Sequence, residues 1–160
     1  MPALFSCSKQ SSGKARRLAK ALAAVFPGSL FVSRAGKSVD WLVSFARYQG
    51  LEVLVIVSPL EGNRFEWRGI AVSEGGWLES FSAEVSVVKE ASWKKLVVGE
   101  VSMDVRGKKA ADLLGRLLDP ELVCSEAEFA WTEKGKTVSF RRGEAELGPS
   151  FCVERVSFEG

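Results

Sequence analysis

Leu51-Glu52-Val53-Leu54-Val55-Ile56-Val57 is an almost continuous apolar run. Runs of this kind form strands that are covered on both faces, usually central strands with parallel neighbours. The residues before the run predict a strand at 3–7, a helix at 15–26, a strand at 30–32 and a helix at 38–49. A chain that alternates strand and helix in this way predicts an α/β fold.

The residues after the run extend the predicted sheet. Two strands, 65–73 and 77–87, are joined at Gly75-Gly76 as a hairpin, which makes the sheet mixed. The second half predicts similar elements more faintly, namely a strand at 95–103, a helix at 110–118 and strands at 126–132, 137–142 and 150–158. Because no linker rich in glycine, serine or proline separates the halves, we expect a single domain over 1–160, with lobes at about 1–88 and 89–160.

Composition excludes several classes of enzyme and metal site. The 160 residues are 46% apolar and 26% charged, which is typical of a folded domain rather than of a disordered chain or a coiled coil. The chain has no histidine, so the Ser-His-Asp and Cys-His pairs and histidine-bound zinc are absent. Cys7, Cys124 and Cys152 lack the C-x-x-C spacing of thiolate metal sites and indicate a reducing compartment. No cofactor is expected.

The amino-terminal residues do not resemble a targeting signal. Residues 1–5 are too short and uncharged for a secretory signal, and no run approaches the roughly 18 apolar residues that cross a bilayer. We therefore expect a cytoplasmic protein without a membrane partner.

The formal net charge of +2 is divided unequally along the chain. Residues 1–50 contain eight bases and a single acid, Asp40, for a net charge of +7, whereas residues 51–160 carry a net charge of −5. A segment with one carboxylate cannot neutralise its own bases, so a polyanion is the expected partner. A solubilising surface, or neutralisation by the acidic part of the chain after folding, is the alternative.

A basic loop precedes the second helix. Arg34-Ala35-Gly36-Lys37-Ser38 ends like the phosphate loop G-x-x-x-x-G-K-[ST], but the first glycine of that motif falls on Phe31. The strand 51–57 is followed by Ser58 rather than by an aspartate that could hold Mg²⁺. The loop still offers a site for one phosphate, at a helix N-terminus beside Arg34 and Lys37. An ordinary capped helix start is the alternative.

The loop at 8–14 occupies the equivalent place before the first helix. Because the carboxyl ends of neighbouring parallel strands meet at one edge of a sheet, this loop and 33–38 are expected to form one basic rim. Phosphate contacts are expected from Lys9, Lys14, Arg34 and Lys37, within a positive field from Arg16, Arg17 and Lys20. Hydrogen bonds or close backbone approach are expected from Ser8, Ser11 and Gly36.

The predicted second helix is apolar on more than its inner stripe. Trp41, Phe45 and Tyr48 lie on a different face from the stripe that contains Leu42 and Val43. Packing of these aromatics against the second lobe is the favoured interpretation. The alternatives are a partner protein and stacking on unpaired bases.

Several short motifs occur in a fixed order along the chain. They are Phe5-Ser6-Cys7-Ser8-Lys9, Phe26-Pro27-Gly28-Ser29, Arg34-Ala35-Gly36-Lys37-Ser38, the strand 51–57 and Glu146-Leu147-Gly148-Pro149-Ser150-Phe151. In order and spacing, over nearly the whole chain, the sequence resembles the Brix-domain family of ribosome-biogenesis proteins, and its length is similar to the short, single-domain archaeal type. Where that family usually has Thr-Ser-Arg and an adjacent Arg-Gly pair, this chain has Cys7-Ser8-Lys9 and an intervening Ala35.

The resemblance implies two similar lobes, each like the anticodon-binding domain of class II aminoacyl-tRNA synthetases. It also implies binding of ribosomal RNA or its precursor during subunit assembly, alongside other assembly proteins. With the basic residues of 1–50, this predicts a non-enzymatic RNA-binding assembly factor. An interaction module that uses Trp41, Phe45 and Tyr48 is the alternative, and a divergent nucleotide hydrolase is a third hypothesis.

Overall fold

The computed structural model describes residues 1–9 and 13–159. The first half contains β1 (Ala3–Cys7), α1 (Gly13–Val25), β2 (Leu30–Phe31), α2 (Val39–Tyr48), β3 (Val53–Pro59), β4 (Arg64–Ser73) and β5 (Gly76–Lys89). The second half contains β6 (Val101–Asp104), α3 (Lys108–Leu117), a 3-10 turn (Pro120–Leu122), β7 (Phe129–Lys134), β8 (Thr137–Arg142) and β9 (Ala145–Phe158). The prediction of a mixed α/β fold is confirmed.

The described strands form one sheet in the order β2-β1-β3-β4-β5-β9-β8-β7-β6. β1 is parallel to β2 and β3, β6 is parallel to β7, and all other neighbours are antiparallel. The series β6, β7, β8, β9 therefore repeats the directions of β1, β3, β4, β5, and the two halves join where β5 pairs with β9. The likeness of each half to an anticodon-binding domain stays a prediction.

Two clusters of buried side chains lie on opposite faces of the sheet. The larger cluster joins α1 and α3 to the strands of both halves, with Leu22, Leu113 and Trp131 fully buried in it. The smaller cluster lies under α2, and all of its members belong to the first half. Alternate residues of β3 enter the two clusters, so the apolar run is covered on both faces, as its sequence predicts.

The prediction of a strand over 95–103 is wrong for most of its length. Only Val101–Asp104 forms a strand, and residues 90–100 run as an irregular segment. Trp93 Nε1 donates to the Gly148 carbonyl at 2.9 Å, and Ser92 N donates to the Leu147 carbonyl at 2.9 Å. These two bonds tie the segment to β9, while Val98 is buried. Apolar side chains therefore turn inward here without a neighbouring strand.

None of the helices within residues 1–9 and 13–159 combines the length and the apolar character that crossing a membrane requires.

Candidate nucleic-acid interface

The two basic loops lie side by side at one edge of the sheet. β1 and β2 are parallel neighbours, with Leu4 opposite Leu30 and Phe5 opposite Phe31, so the loops that follow them leave the same edge. Together they enclose a cavity of about 420 Å³, which we call the loop cavity. It is lined by Cys7, Ser8, Lys9, Arg16, Ser33, Arg34, Ala35 and Gly36. The predicted convergence of the two loops is therefore present.

Arg34 holds the two loops together. Its side chain is buried, its Nε donates to the Lys37 carbonyl at 2.6 Å, and its Nη1 donates to the Cys7 carbonyl at 3.2 Å. Two of the five N–H groups of the guanidinium are thus used by the protein backbone. The contact with Cys7 crosses from one loop to the other, so Arg34 builds the wall of the cavity.

The tip of the second loop is a tight turn. Lys37 N donates to the Arg34 carbonyl at 2.7 Å, and the two residues between them, Ala35 and Gly36, both have positive φ, at 39° and 80°. Positive φ at both central positions is the pattern of a type I′ turn. A Cβ at Gly36 would meet no atom within 4 Å, so the glycine serves the backbone conformation and leaves the tip open to an approaching ligand.

The Gly36-Lys37-Ser38 sequence does not form a phosphate loop. Lys37 Nζ donates to the Ser33 carbonyl at 3.3 Å and lies 5.2 Å from the centroid of the Trp41 ring. Ser38 is the N-cap of α2, and its Oγ accepts from Trp41 N at 3.1 Å. Lys37 does not line the loop cavity, so the expectation of a phosphate contact here by Lys37 requires its amine to leave Ser33.

The basic residues of α1 and of the loop before it divide between two depressions. Lys9 and Arg16 line the loop cavity, whereas Lys14, Arg17 and Lys20 line a second groove. Arg16 and Lys20 are four residues apart and lie on adjacent turns, so the positive surface runs across the exposed face of α1. We call Lys9, Lys14, Arg16, Arg17 and Lys20 the cationic band. The positive surface is therefore a band that borders two depressions, where the sequence predicted a single rim. Ser11, which was also predicted to take part, lies outside the described residues.

The cationic band keeps its charge in the folded protein. Arg17 Nε lies 3.2 Å from Glu90 Oε1, and both side chains are more than half exposed, so this pair is weak and screened by salt. Within the described part of the chain, the other four residues of the band form no ion pair. The alternative in which acids of the second half neutralise these bases accounts for Arg17 alone.

Trp41 and Tyr48 of α2 are exposed, Phe45 is partly buried, and the expectation that these aromatics pack on the second half is wrong. Trp41 is 42% exposed and Tyr48 is 86% exposed. α2 lies on the face of the sheet opposite α1 and α3, where the second half contributes nothing to the buried cluster. Phe45 packs at the margin of that cluster and stacks on Trp41, with 5.3 Å between ring centroids.

The basic turn of the second half is occupied by a carboxylate. Glu133 Oε1 accepts from the backbone N of Arg106 at 3.1 Å and of Gly107 at 2.8 Å, at the start of α3. Sequence reasoning missed this pairing, although an acid at the end of a strand that precedes a Lys-Gly turn is a visible signal. Glu133 therefore occupies the two backbone N–H groups that lead into α3, those of Arg106 and Gly107.

Sequence reasoning also missed two bases. Lys94 and Lys95 line the same groove as Lys14 and Lys20, and so enlarge the positive surface beyond residues 1–50. The predicted strand at 95–103 hid this role for Lys95, and Lys94 was not considered. The adjacent Lys-Lys pair was the signal that could have found them.

No protein-family model matches the chain, and a search of curated proteins finds no match. The fold is similar to the crystal structure of a probable ribosomal biogenesis protein from Aeropyrum pernix K1. The two chains are 20% identical, and the alignment has a TM-score of 0.70 and covers 95% of this chain and 94% of that one. This protein therefore shares its fold with that protein over nearly the full length of both chains.

Proposed function

We propose that the protein is a non-enzymatic ribosome-biogenesis factor that binds ribosomal RNA or its precursor through the cationic band. The observation that carries the proposal is the uncompensated charge of Lys9 and Arg16 at the mouth of the loop cavity. The shared fold with a probable ribosomal biogenesis protein supports the assembly role. The proposal also places the chain in the Brix-domain family that its motifs resemble.

The chemistry of the loop cavity suits the phosphates of an RNA backbone. Lys9 and Arg16 are exposed and supply charge-assisted donors, while Gly36 lets a phosphate approach the turn closely. Arg34 keeps the two loops at a fixed separation without contributing its full charge to the surface. Contacts of this type position an RNA and carry no base specificity. We therefore expect recognition of folded RNA through its backbone.

A charge-reversal experiment tests the proposal. The double variant Lys9→Glu/Arg16→Glu is compared with Lys134→Glu/Lys136→Glu, which changes two exposed lysines on the distant β7–β8 turn. We expect the first variant to lose about tenfold or more in affinity for a fluorescent ribosomal RNA fragment, and the control to stay within about twofold, because only the first removes cations from the proposed site. Each lost phosphate contact should also lower the slope of log affinity against log salt concentration by about 0.7–0.9. Fluorescence anisotropy between 50 and 200 mM salt is the measurement.

Two results would overturn the proposal. One is an affinity for RNA that does not change with salt, since phosphate contacts release counterions. The other is equal binding by the Lys9→Glu/Arg16→Glu variant and the unmodified protein. Circular dichroism of both variants checks that the fold is kept.

A second function is favoured by the exposed aromatics of α2. Trp41 and Tyr48, with Phe45 partly buried beside them, leave an apolar face exposed on α2, which suits a protein partner in a pre-ribosomal complex. We expect Trp41→Ala to abolish capture of such a partner while leaving RNA affinity unchanged, and Leu78→Ala, at another exposed position, to leave both unchanged. If Trp41→Ala weakens RNA binding instead, the face belongs to the RNA site.

Nucleotide hydrolysis is the least supported of the three hypotheses. The Lys37 amine faces Ser33 and Trp41, and the Ser38 hydroxyl caps α2, so neither side chain faces the loop cavity. Absence of Mg²⁺-dependent turnover at millimolar ATP and GTP would end this hypothesis.

A further inference from the structure

A deep groove separates α1 from the irregular segment 90–96. Its volume is about 610 Å³. One wall is formed by Leu18 and Ala21 of α1, the other by Trp93 and Leu96, and the floor includes Phe65. We call it the α1 groove. Apolar side chains dominate its walls and floor, and its volume lies within the range of sites that bind ligands or peptide side chains.

The wall opposite α1 is fixed in place by hydrogen bonds to β9. Trp93 Nε1 donates to the Gly148 carbonyl, and both the N and the Oγ of Ser92 donate to the Leu147 carbonyl, at 2.9 and 3.0 Å. Lys89 Nζ donates to the Glu146 carbonyl at 2.8 Å. The groove is therefore preformed, so a ligand does not have to order this wall when it binds.

The rim of the groove is positively charged. Its basic residues are Lys14, Arg17, Lys20, Lys94 and Lys95, and Glu90 is the one acid among the described residues that line it. Glu90 bridges the mouth to Arg17 at 3.2 Å, an exposed contact that a competing carboxylate could replace. An apolar floor inside a cationic rim is complementary to a segment with apolar side chains on one face and carboxylates beside them.

The lining favours a peptide over a nucleic acid. Asn63, the neutral polar side chain of the lining, already donates its Nδ2 to the Val87 carbonyl at 2.6 Å. The Trp93 indole N–H is also bonded to the protein. Recognition of RNA through its backbone needs polar groups that meet phosphates, and the interior of the groove offers aliphatic and aromatic carbon instead. The proposed RNA contacts centre on Lys9 and Arg16 at the loop cavity, outside the groove.

We propose that the α1 groove binds an acidic, amphipathic segment of a partner protein. Apolar side chains of the segment fill the space between Leu18 and Trp93, and its carboxylates contact Lys94 and Lys95 on one rim and Lys14 and Lys20 on the other. This inference goes beyond the proposed function, because it assigns a protein ligand to a surface that adjoins the RNA site. The protein would then hold a partner segment in the α1 groove and an RNA at the loop cavity, with Lys14 and Lys20 of the cationic band at the border of the two sites.

A display library of random 16-residue peptides, selected on the full chain, is the probe. We expect the enriched peptides to be rich in Asp and Glu, with apolar residues at helical or alternating spacing. One enriched peptide is then synthesised with a fluorescent label, and its Kd is measured by anisotropy. Selection of basic peptides, or of none above the unselected background, would overturn the proposal.

Two exposed valines give a matched pair of variants. Val88 lines the groove and is 60% exposed, whereas Val97 lies outside the lining and is 84% exposed, so neither substitution disturbs the core. We expect Val88→Glu to weaken the peptide about tenfold or more and Val97→Glu to leave its Kd within about twofold, because only the first adds a carboxylate against an acidic ligand. Equal effects of the two substitutions would contradict the proposal.

The rim gives a second test with the opposite sign. Glu90→Gln removes the rim carboxylate and frees Arg17, so we expect it to tighten peptide binding, while Lys94→Glu/Lys95→Glu weakens it. A weaker complex with Glu90→Gln would contradict the assignment of an acidic ligand.

The outcomes separate this inference from the proposed RNA function. Lys9→Glu/Arg16→Glu is expected to leave the Kd of the peptide within about twofold while it weakens RNA binding. If Val88→Glu weakens RNA binding and RNA displaces the peptide, the groove belongs to the RNA. If the protein self-associates in a concentration-dependent way that Val88→Glu abolishes, the ligand is a second copy. Either result overturns the assignment to an acidic partner.

Discussion

Ala35 adopts a backbone conformation that suits glycine better. Its φ is 39°, and the left-handed region costs an L-residue about 1–2 kcal/mol, part of which the greater flexibility of unfolded glycine offsets. We therefore predict that Ala35→Gly raises the free energy of unfolding by about 0.5–1 kcal/mol without weakening RNA binding. Urea denaturation measures the first effect and anisotropy the second. As a control, Ala111→Gly within α3 should lower the free energy of unfolding by about 1 kcal/mol.

The same loop shows what residue types can and cannot predict. The meeting of the two basic loops followed from the rule for parallel neighbours, and Lys9 and Gly36 lie where that rule places them. The burial of Arg34 was not predictable, because its partners are backbone carbonyls, one of them 27 residues away. The position of Lys37 over Trp41 depends on the exact start of α2. The location of the positive surface was therefore easier to predict than the identity of the cations that remain exposed on it.

Glu146 gives a pH-dependent contribution to stability. The hydroxyls of Ser150 and Ser139 donate to its Oε1 at 2.6 and 3.0 Å, and these bonds lower the pKa of the carboxyl below its usual value. A depressed pKa in the folded state stabilises the protein above the unfolded pKa, and this stability is lost as pH falls through the folded pKa. We predict that Ser150→Ala raises the pKa of Glu146 in a carbon-13 NMR titration, and that Ser82→Ala leaves it unchanged.

The stability curves of the same two variants provide the complementary measurement. The difference in unfolding free energy between the unmodified protein and Ser150→Ala should shrink as the solution is acidified past the titration of Glu146. A difference that is constant with pH would mean that the hydroxyl acts through packing alone.

At the scale of the elements, the paired strands β4 and β5 contain a close approach between a glycine and a buried ring. Gly69 lies next to the register shift in β4, and a Cβ built there would overlap the ring of Phe81 on β5. We predict that Gly69→Ala costs about 1–3 kcal/mol of unfolding free energy, because either the buried ring or the strand must move. Gly115→Ala on the exposed side of α3, where a Cβ meets nothing within 4 Å, should gain about 0.5–1 kcal/mol. Thermal unfolding of both variants is the measurement.

Elements whose apolar residues recur at a regular spacing were predictable from the sequence, whereas elements shaped by tertiary contacts were not. α1, α2 and α3 follow the three-and-four spacing of their buried leucines and alanines. The segment 90–100 has strand-like residues, but its hydrogen bonds run to Leu147 and Gly148 instead of to a neighbouring strand. The α1 groove depends on this segment and was therefore not predictable from residue patterns.

At the scale of the whole molecule, the sheet and its larger core are continuous across the two halves. β5 and β9 pair from Phe81–Phe158 to Lys89–Ser150, and the same buried cluster contacts α1 and α3. We therefore predict a single cooperative unfolding transition. Hydrogen exchange in urea should give the same midpoint for amides of β3 and of β7, whereas two midpoints would show that the halves unfold independently.

The unequal distribution of charge was visible from the sequence, but its arrangement in space was not. The net charge of +7 over residues 1–50 predicted a positive surface, and most of it lies on α1 and the loop before it. Glu133 accepts a hydrogen bond from Gly107 N just before α3 and places a negative charge at the basic turn of the second half. Lys94 and Lys95 add positive charge from outside residues 1–50. Such pairings join residues that are distant in the chain, so only the folded topology shows them.

The central position of β9 has a consequence for how the chain is made. Translation proceeds from the amino end, so the edge of β5 emerges from the ribosome before residues 145–158 exist to pair with it. An unpaired, partly apolar strand edge on a nascent chain is a template for aggregation. A polypeptide stalled before residue 145 would carry the basic helix α1 on an unfinished sheet, and cellular quality control would have to remove it.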